Sequence, residues 1–287
     1  LKVFSDIILK DCIEIIKNNY EYVEFFLEKN STISPKDFES LIIVDPVNKF
    51  CEEELYNLDQ YLMQGGNLVF FLNPMTVDMN SLERDENISV EKNTGIEIFL
   101  YKYGIILNSD LIQDIQCSKY PIVLGKIGNR NNISNIKWPF FPIVTHFEDH
   151  HITNGLDAIY GQFCSSISFF EQEDQNINFI PLFFTSENTF ISKSPIFFNK
   201  KFIKLDLDKN FYQTGHIILS AIIEGEFSSI FLNSIILPKN STESFISHGK
   251  GKIFLAGSSS FIKNIYHENL NSIFPMGYDP FEKKEFS

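Results

Sequence analysis

The stretch from residue 41 to residue 74, LIIVDPVNKFCEEELYNLDQYLMQGGNLVFFLNP, constrains the fold more than any other. Residues 41–44 form a short apolar run rich in β-branched side chains, closed by Asp45-Pro46. Such a run suits a strand buried on both faces. Residues 51–64 then place Leu55, Leu58, Leu62 and Met63 at helical spacing. Glu52, Glu53 and Glu54 occupy the first turn, where the helix dipole favours negative charge. Gly65 or Gly66 supplies the left-handed residue that ends a helix, and residues 68–72 are a second apolar run. Strand, helix and strand make one βαβ crossover, so the two strands should run parallel.

Upstream, residues 3–18 carry Phe4, Ile7, Ile8, Cys12, Ile15 and Ile16 near one helical face. Residues 20–27 alternate imperfectly and are expected to be a strand, and Ser34-Pro35 should open a short turn with Ser34 as cap. The predicted fold class is therefore α/β, a mostly parallel doubly wound sheet with a more β-rich second half. Residues 76–94 are polar and irregular and read as a loop with a little helix. A helix over 96–103 ends at Gly104, and short strands follow at 105–107, 111–117 and 120–124. Residues 125–135, rich in glycine and asparagine, read as a loop. Residues 138–142, WPFFP, must be extended because two prolines resist helix. Further strands are expected at 159–170, 180–185, 201–207, 217–223 and 252–256, with a short helix from Phe261. No repeat or linker divides the chain, so residues 1–287 are read as one domain. It comprises a βαβ core (1–74), a loop-rich insertion (75–155) and a β-rich remainder (156–287).

A net charge of −13 over 287 residues, with no basic run, argues against nucleic acid as a partner. No stretch of about 18 apolar residues is present, so no membrane span is expected within it. The chain begins at Leu1 rather than Met and is read as a piece of a longer protein. Cys12, Cys51, Cys117 and Cys164 show no regular spacing and are expected to be buried, reduced thiols.

Five constellations invite chemistry. His146, Glu148, Asp149, His150 and His151 are close in sequence, but adjacent side chains diverge on a helix or a strand, so a structural loop is preferred to a metal site. Cys164 in Gly161-Gln162-Phe163-Cys164 lacks the small neighbours of a nucleophile elbow, since Phe163 is too large for a tight turn. Ser258-Ser259-Ser260 lies between a strand and a helix, where a cap and a turn are the plain reading. Gly125-Lys126-Ile127-Gly128 lacks the rest of a phosphate-binding motif, so no nucleotide or other cofactor is expected. Glu224 and Glu226 around Gly225 read as a solvated turn.

The order of several short motifs resembles a known family. These are residues 41–43 with Pro46 and Phe50, residues 59–66 (DQYLMQGG), Tyr103-Gly104, residues 110–114 (DLIQD) and WPFFP. Phe163 with Ser165-Ser166-Ile167, Thr185-Ser186, residues 224–227 and Gly277-Tyr278-Asp279 complete the series. The chain resembles the auxiliary, substrate-binding-like proteins of gliding-motility ABC transporters in Bacteroidetes, the GldG family. The resemblance implies a class-I glutamine-amidotransferase-like (flavodoxin-like) fold without its catalytic cysteine. It implies anchorage at the periplasmic face of the inner membrane by segments outside this sequence. The implied partners are ABC permease and ATPase subunits. The family often has aspartates after the final strand, where this chain has Ser258–Ser260, and Cys51 replaces the usual Ser or Thr cap. The expected function is non-catalytic binding, with Trp138, Phe140, Phe141, His146, His150 and His151 as an exposed partner or ligand surface. A hydrolase- or amidotransferase-like enzyme, or a carbohydrate- or lipid-sensing domain with an aromatic-lined pocket, is the alternative.

Overall fold

The computed structural model describes residues 7–27, 33–77, 87–127, 130–172, 176–198, 209–234, 245–267 and 272–286. Its elements in order are α1 (Lys10–Asn19), β1 (Ser40–Val44), α2 (Glu52–Met63), β2 (Asn67–Phe71), β3 (Asn87–Ser89), α3 (Ile96–Tyr101), β4 (Ile105–Leu107) and β5 (Asp110–Asp114). A long hairpin, β6 (Cys117–Ile127) and β7 (Arg130–Val144), follows, then β8 (His146–Phe147), β9 (Ile159–Tyr160) and β10 (Ile167–Phe169). The second half contains β11 (Asn176–Phe184), β12 (Thr189–Lys193), β13 (Ile196–Phe198), β14 (Ile218–Ser228) and β15 (His248–Ala256). A 3-10 turn (Ser259–Ile262) leads to β16 (Ile265–His267), β17 (Ser272–Phe274), β18 (Tyr278–Asp279) and β19 (Lys284–Glu285).

The central sheet has six strands in the order β1-β2-β15-β14-β11-β8. β1 and β2 pair in parallel, as the crossover predicts, with Leu41 opposite Leu68 and Ile43 opposite Phe70. β15 adds in parallel to β2. From there onward every pairing is antiparallel, β15 with β14, β14 with β11 and β11 with β8. The sheet is thus mixed, which corrects the expectation of a mostly parallel one. Only three neighbouring strands, β1, β2 and β15, pair in parallel, because most of the β-rich second half enters as antiparallel pairs rather than βαβ crossovers.

Helix α2 forms where its spacing indicates. Its first turn carries Glu52–Glu54, and the Cys51 backbone N–H donates to Glu54 Oε2 at 2.8 Å, the return half of a capping box. Leu58, Tyr61, Leu62 and Met63 bury against β2 and β15 with Leu68, Phe70, Ile253 and Leu255. Gly65 takes φ +96° and ends the helix. A second cluster gathers Trp138, Phe140, Phe141, Tyr160 and Phe163, and a third gathers Ile112, Val144, Cys164, Leu182 and Leu219. Among the described residues no helix is long and apolar enough to cross a membrane.

Three local expectations change. Residues 20–27 form no ladder, and Tyr20 and Phe26 are 73% and 79% exposed. Their aromatic and β-branched content favours extension, but a strand needs a partner, and none lies alongside among the described residues. Residues 125–135 are not a loop: all but 128–129, which lie outside the described residues, belong to the β6–β7 hairpin, whose last pair is Ile127 with Arg130. In sequence Gly128-Asn129 is a turn signal that the composition of the whole segment obscured. Residues 76–94 show the short strand β3 and no helix among those described. The strand expected at 201–207 lies outside the described residues.

Candidate functional site

Ligands in open α/β sheets gather at the carboxyl ends of parallel strands, and β1, β2 and β15 deliver a charged cluster there. Asp45 follows β1 directly, with φ +44°, a left-handed conformation that aspartate tolerates better than most residues. Its carboxylate meets Lys92 Nζ at 2.6 Å and Lys263 Nζ at 2.8 Å. Asn73, just past β2, accepts from the Ser259 backbone N–H at 2.8 Å, and its amide reaches Asp45 Oδ2 at 3.5 Å. The Ser259 hydroxyl approaches the same oxygen at 3.4 Å. The three side chains of the ion cluster are only 17–26% exposed. Burial pushes the Asp45 carboxyl up, but the ammonium groups of Lys263 and Lys92 together outweigh it and hold it below its ordinary value. Two ammonium groups against one carboxylate leave one positive charge, so the cluster is a lock between three loops with a cationic surplus.

The serine run acts as its sequence suggests. Ser258 caps the 3-10 turn by accepting from the Ser260 backbone N–H at 3.2 Å. The Ser258 hydroxyl also donates to the Gln162 carbonyl at 2.9 Å. The nearby Cys164 thiol is fully buried, and burial pushes it well above the ordinary thiol range. Phe163 does stand in a tight bend, at φ +49°, contrary to the expectation from its size. The bend is held by the Phe163 N–H donating to the Phe140 carbonyl at 2.8 Å, with the ring packed between Phe140 and Phe141. Burial also pushes the Cys117 thiol up, to about 12. Cys12 and Cys51 are half-buried rather than buried, and all four cysteines are free. The described hydrogen bonds of His146, His150, His216 and His248 go to Thr145, Ile152, Thr185 and Ser247, not to Cys117, Cys164 or Ser259.

Of the six residues expected on an exposed surface, three are interior. Trp138, Phe140 and Phe141 are 4%, 3% and 0% exposed. They sit on β7, whose extended course matches the expectation for WPFFP, but their rings fill the second core cluster rather than face solvent. Among the described residues the Trp138 indole N–H has no hydrogen-bond partner. His146 and His151 are exposed and His150 half-buried. The His150 and His151 rings lie 4.0 Å apart, centroid to centroid. They meet rather than diverge because the chain turns at this point instead of forming a strand or helix. His146 is apart from them and packs at 4.8 Å on the ring of His216, a residue that sequence reasoning did not bring to it. Among the described residues no group of three or more metal-ligating side chains comes together. An open cleft of about 400 Å³ is lined by Lys119, Asn135, Phe281, Glu282 and Lys284, with one aromatic ring and three charges.

The other motifs turn out to be joined to each other. Asp110 accepts from the Ser166 N–H at 2.8 Å and from its hydroxyl at 2.5 Å. Asp114 accepts from the Ser186 N–H at 2.8 Å and its hydroxyl at 2.6 Å. Asp59 is fully buried and accepts from Tyr103, Ser229, Gln60 and the Ile230 N–H. Asp279 accepts from the Ser118 hydroxyl. Glu224 and Glu226 are not in a turn; they lie on β14 and pair across the ladder with Lys252 at 2.8 Å and Lys250 at 3.0 Å. Burial pushes the carboxyls of Asp59, Asp110 and Asp114 upward, against the pull of these donors.

No curated protein matches the chain. Among solved structures it is similar to the one titled mmIFT52 N-terminal domain, with 13% identity and a TM-score of 0.48, over 90% of this chain and 82% of that one. A family model described as an ABC-type uncharacterized transport system matches residues 5–287, so the chain belongs to this auxiliary family of ABC-type transport systems.

Proposed function

We propose that the chain is a non-catalytic, extracytoplasmic auxiliary domain of an ABC transporter complex, serving gliding motility or envelope export by binding a protein or ligand. Anchors outside this sequence hold it at the periplasmic face of the inner membrane, beside a permease and an ATPase. The match of the family to residues 5–287 carries this reading. Two features support the non-catalytic part. The strand ends where a ligand or nucleophile would sit are filled by the Asp45–Lys92–Lys263 lock, and Cys164 is sealed in the core. The test is affinity capture of the full-length, membrane-anchored protein from detergent extracts. Co-purification of an ABC permease and ATPase is the expected result, and their absence sinks the proposal. Covalent labelling of Ser259 by a serine-hydrolase probe would overturn its non-catalytic part alone.

A further inference from the structure

β8 is an outer strand of the six-stranded sheet, and His146 on it stands opposite Phe184 of β11. The next residue, Thr185, ties this edge to the segment ahead of β14. Its N–H donates to the Ile217 carbonyl at 3.0 Å, and the Ile217 N–H donates to its hydroxyl at 2.8 Å. His216 is thereby held beside His146. Its Nδ1 lies 2.8 Å from the Thr185 carbonyl oxygen. A carbonyl oxygen only accepts, so in the neutral ring Nδ1 carries the proton and the Nε2 lone pair is left free. Metal-ligating histidines are held in this way, by a carbonyl or carboxylate on the second nitrogen. The His146 Nδ1 lies 3.4 Å from the Thr145 hydroxyl oxygen, which accepts from the Gln116 amide at 2.7 Å. With Nδ1–H turned to that oxygen, the His146 Nε2 is free as well.

Both rings are exposed, with centroids 4.8 Å apart and planes at 51°. Two imidazoles on one ion, with bonds of about 2.0–2.1 Å at right or tetrahedral angles, set their centroids roughly 4.5–5 Å apart. A carboxylate stands next to them. Glu187 Oε1 is 3.7 Å from His216 Nε2, and the Glu187 side chain is 80% exposed, so it can swing. Its flanks are anchored: Asp114 accepts from the Ser186 N–H and hydroxyl, and the Asn188 N–H donates to the same hydroxyl at 3.1 Å. As placed, no three ligating side chains converge among the described residues, so Glu187 is the donor that moves. Asp114 adds a negative charge that interacts with His146, and a net charge of −13 draws cations to the chain.

We propose that His146, His216 and Glu187 bind a divalent transition-metal ion of the zinc type, with water completing the coordination. Two imidazoles and one carboxylate suit zinc, nickel or copper, whereas magnesium and calcium take oxygen ligands. The ion would join β8, the turn between β11 and β12, and the approach to β14. It would staple an edge where β8 pairs with β11 through only Phe147–Phe183 and His146–Phe184. The His150–His151 pair is a poorer candidate. Its centroids are closer, at 4.0 Å, and the His150 Nδ1 lone pair is used in accepting from the Ile152 N–H at 3.3 Å. The inference is independent of the transport reading, because it needs no partner protein.

The test is titration of the untagged chain with zinc chloride, followed by calorimetry and by the ring signals of its six histidines in NMR. The His146 and His216 signals should shift and saturate at one equivalent, while those of His150 and His151 stay in place. Magnesium chloride should shift neither pair. His146→Ala and His216→Ala should each raise the zinc Kd by about 100-fold, and Glu187→Gln, at a side chain too exposed to disturb folding, by about tenfold. Saturating zinc should raise the melting temperature of the chain and leave that of the double histidine variant unchanged. No saturable shift at these two rings, binding that survives the double variant, an affinity indifferent to Glu187→Gln, or binding at His150 and His151 instead would overturn the proposal.

Discussion

At Asp45 three influences compete, and their balance has a measurable sign. Desolvation opposes ionisation, while Lys263 and Lys92 favour it and win. An unfolded aspartate titrates near ~3.9. The folded carboxyl titrates lower, so the folded state binds fewer protons in that range. The stabilisation is full above the unfolded value and is lost as pH falls through the folded one. Asp45→Asn should therefore cost about 1–3 kcal/mol at pH 7 in urea unfolding, a figure set by incomplete burial. The cost should shrink toward zero near pH 2, and a variant whose deficit stayed constant would contradict the lock. Asp59 presents the opposite case. Burial raises its carboxyl, so ionising it weakens folding as pH rises between the unfolded value and the raised folded one. Its removal is nonetheless severe, because Tyr103, Ser229, Gln60 and the Ile230 N–H all lose their acceptor. Asp59→Ala should cost about 3–5 kcal/mol, read from the same unfolding curves.

Elements were legible in the sequence where their cause is local. The βαβ unit follows from periodicity, first-turn acids and a helix-ending glycine, all within 34 consecutive residues, and it stands where those signals put it. What failed depends on partners. Residues 20–27 have strand-forming side chains and, among the described residues, no strand beside them. Residues 125–135 have loop-like composition, yet those described belong to a ladder. The lock was illegible because Lys92 and Lys263 lie 47 and 218 positions from Asp45. The acidic motifs could be quoted in order, but nothing in the order says that Asp110 grips Ser166, 56 positions away. The docking of α2 on β15 shows the same limit. A side chain at Gly249 would overlap the Met63 carbonyl, and one at Gly251 would meet Leu62 and the Gly66 carbonyl. These glycines serve close backbone approach rather than an unusual dihedral, and in sequence they resemble any turn. Gly249→Ala should destabilise by roughly 3 kcal/mol or more, whereas Gly155→Ala, which meets no atom within 4 Å, should cost less despite its φ of +89°. Thermal melts of the two variants decide it; equal losses would mean that the helix–strand contact is looser than described.

At the scale of the whole molecule the open matter is whether three core clusters unfold as one. The first holds α2 and the parallel strands, the second the β7 aromatics, and the third Cys164 with Leu182 and Leu219. Shared strands argue for one unit: β14 sends Ala221 and Ile223 into the first cluster and Leu219 and Ile222 into the third. β7 likewise sends Phe141 into the second and Val144 into the third. A strand cannot leave one cluster without exposing the other. The cysteines supply the reporters. Cys164 lies in the third cluster, and Cys117 is buried at the start of β6, beside β7. Both thiols are pushed up by burial, so little thiolate exists in the folded state and alkylation must wait for opening. Pulsed alkylation across a urea series, read by mass spectrometry, should give Cys117 and Cys164 the same midpoint and the same slope. Desolvation pushes the Cys51 thiol up as well, but it is only half-buried at the start of α2, so it should react, slowly, in the absence of urea. A midpoint for Cys117 well below that of Cys164 would divide the chain between the hairpin and the central sheet. Coincidence would make it one cooperative domain, in which a loss at Asp59 or Gly249 is felt at every surface the protein offers a partner.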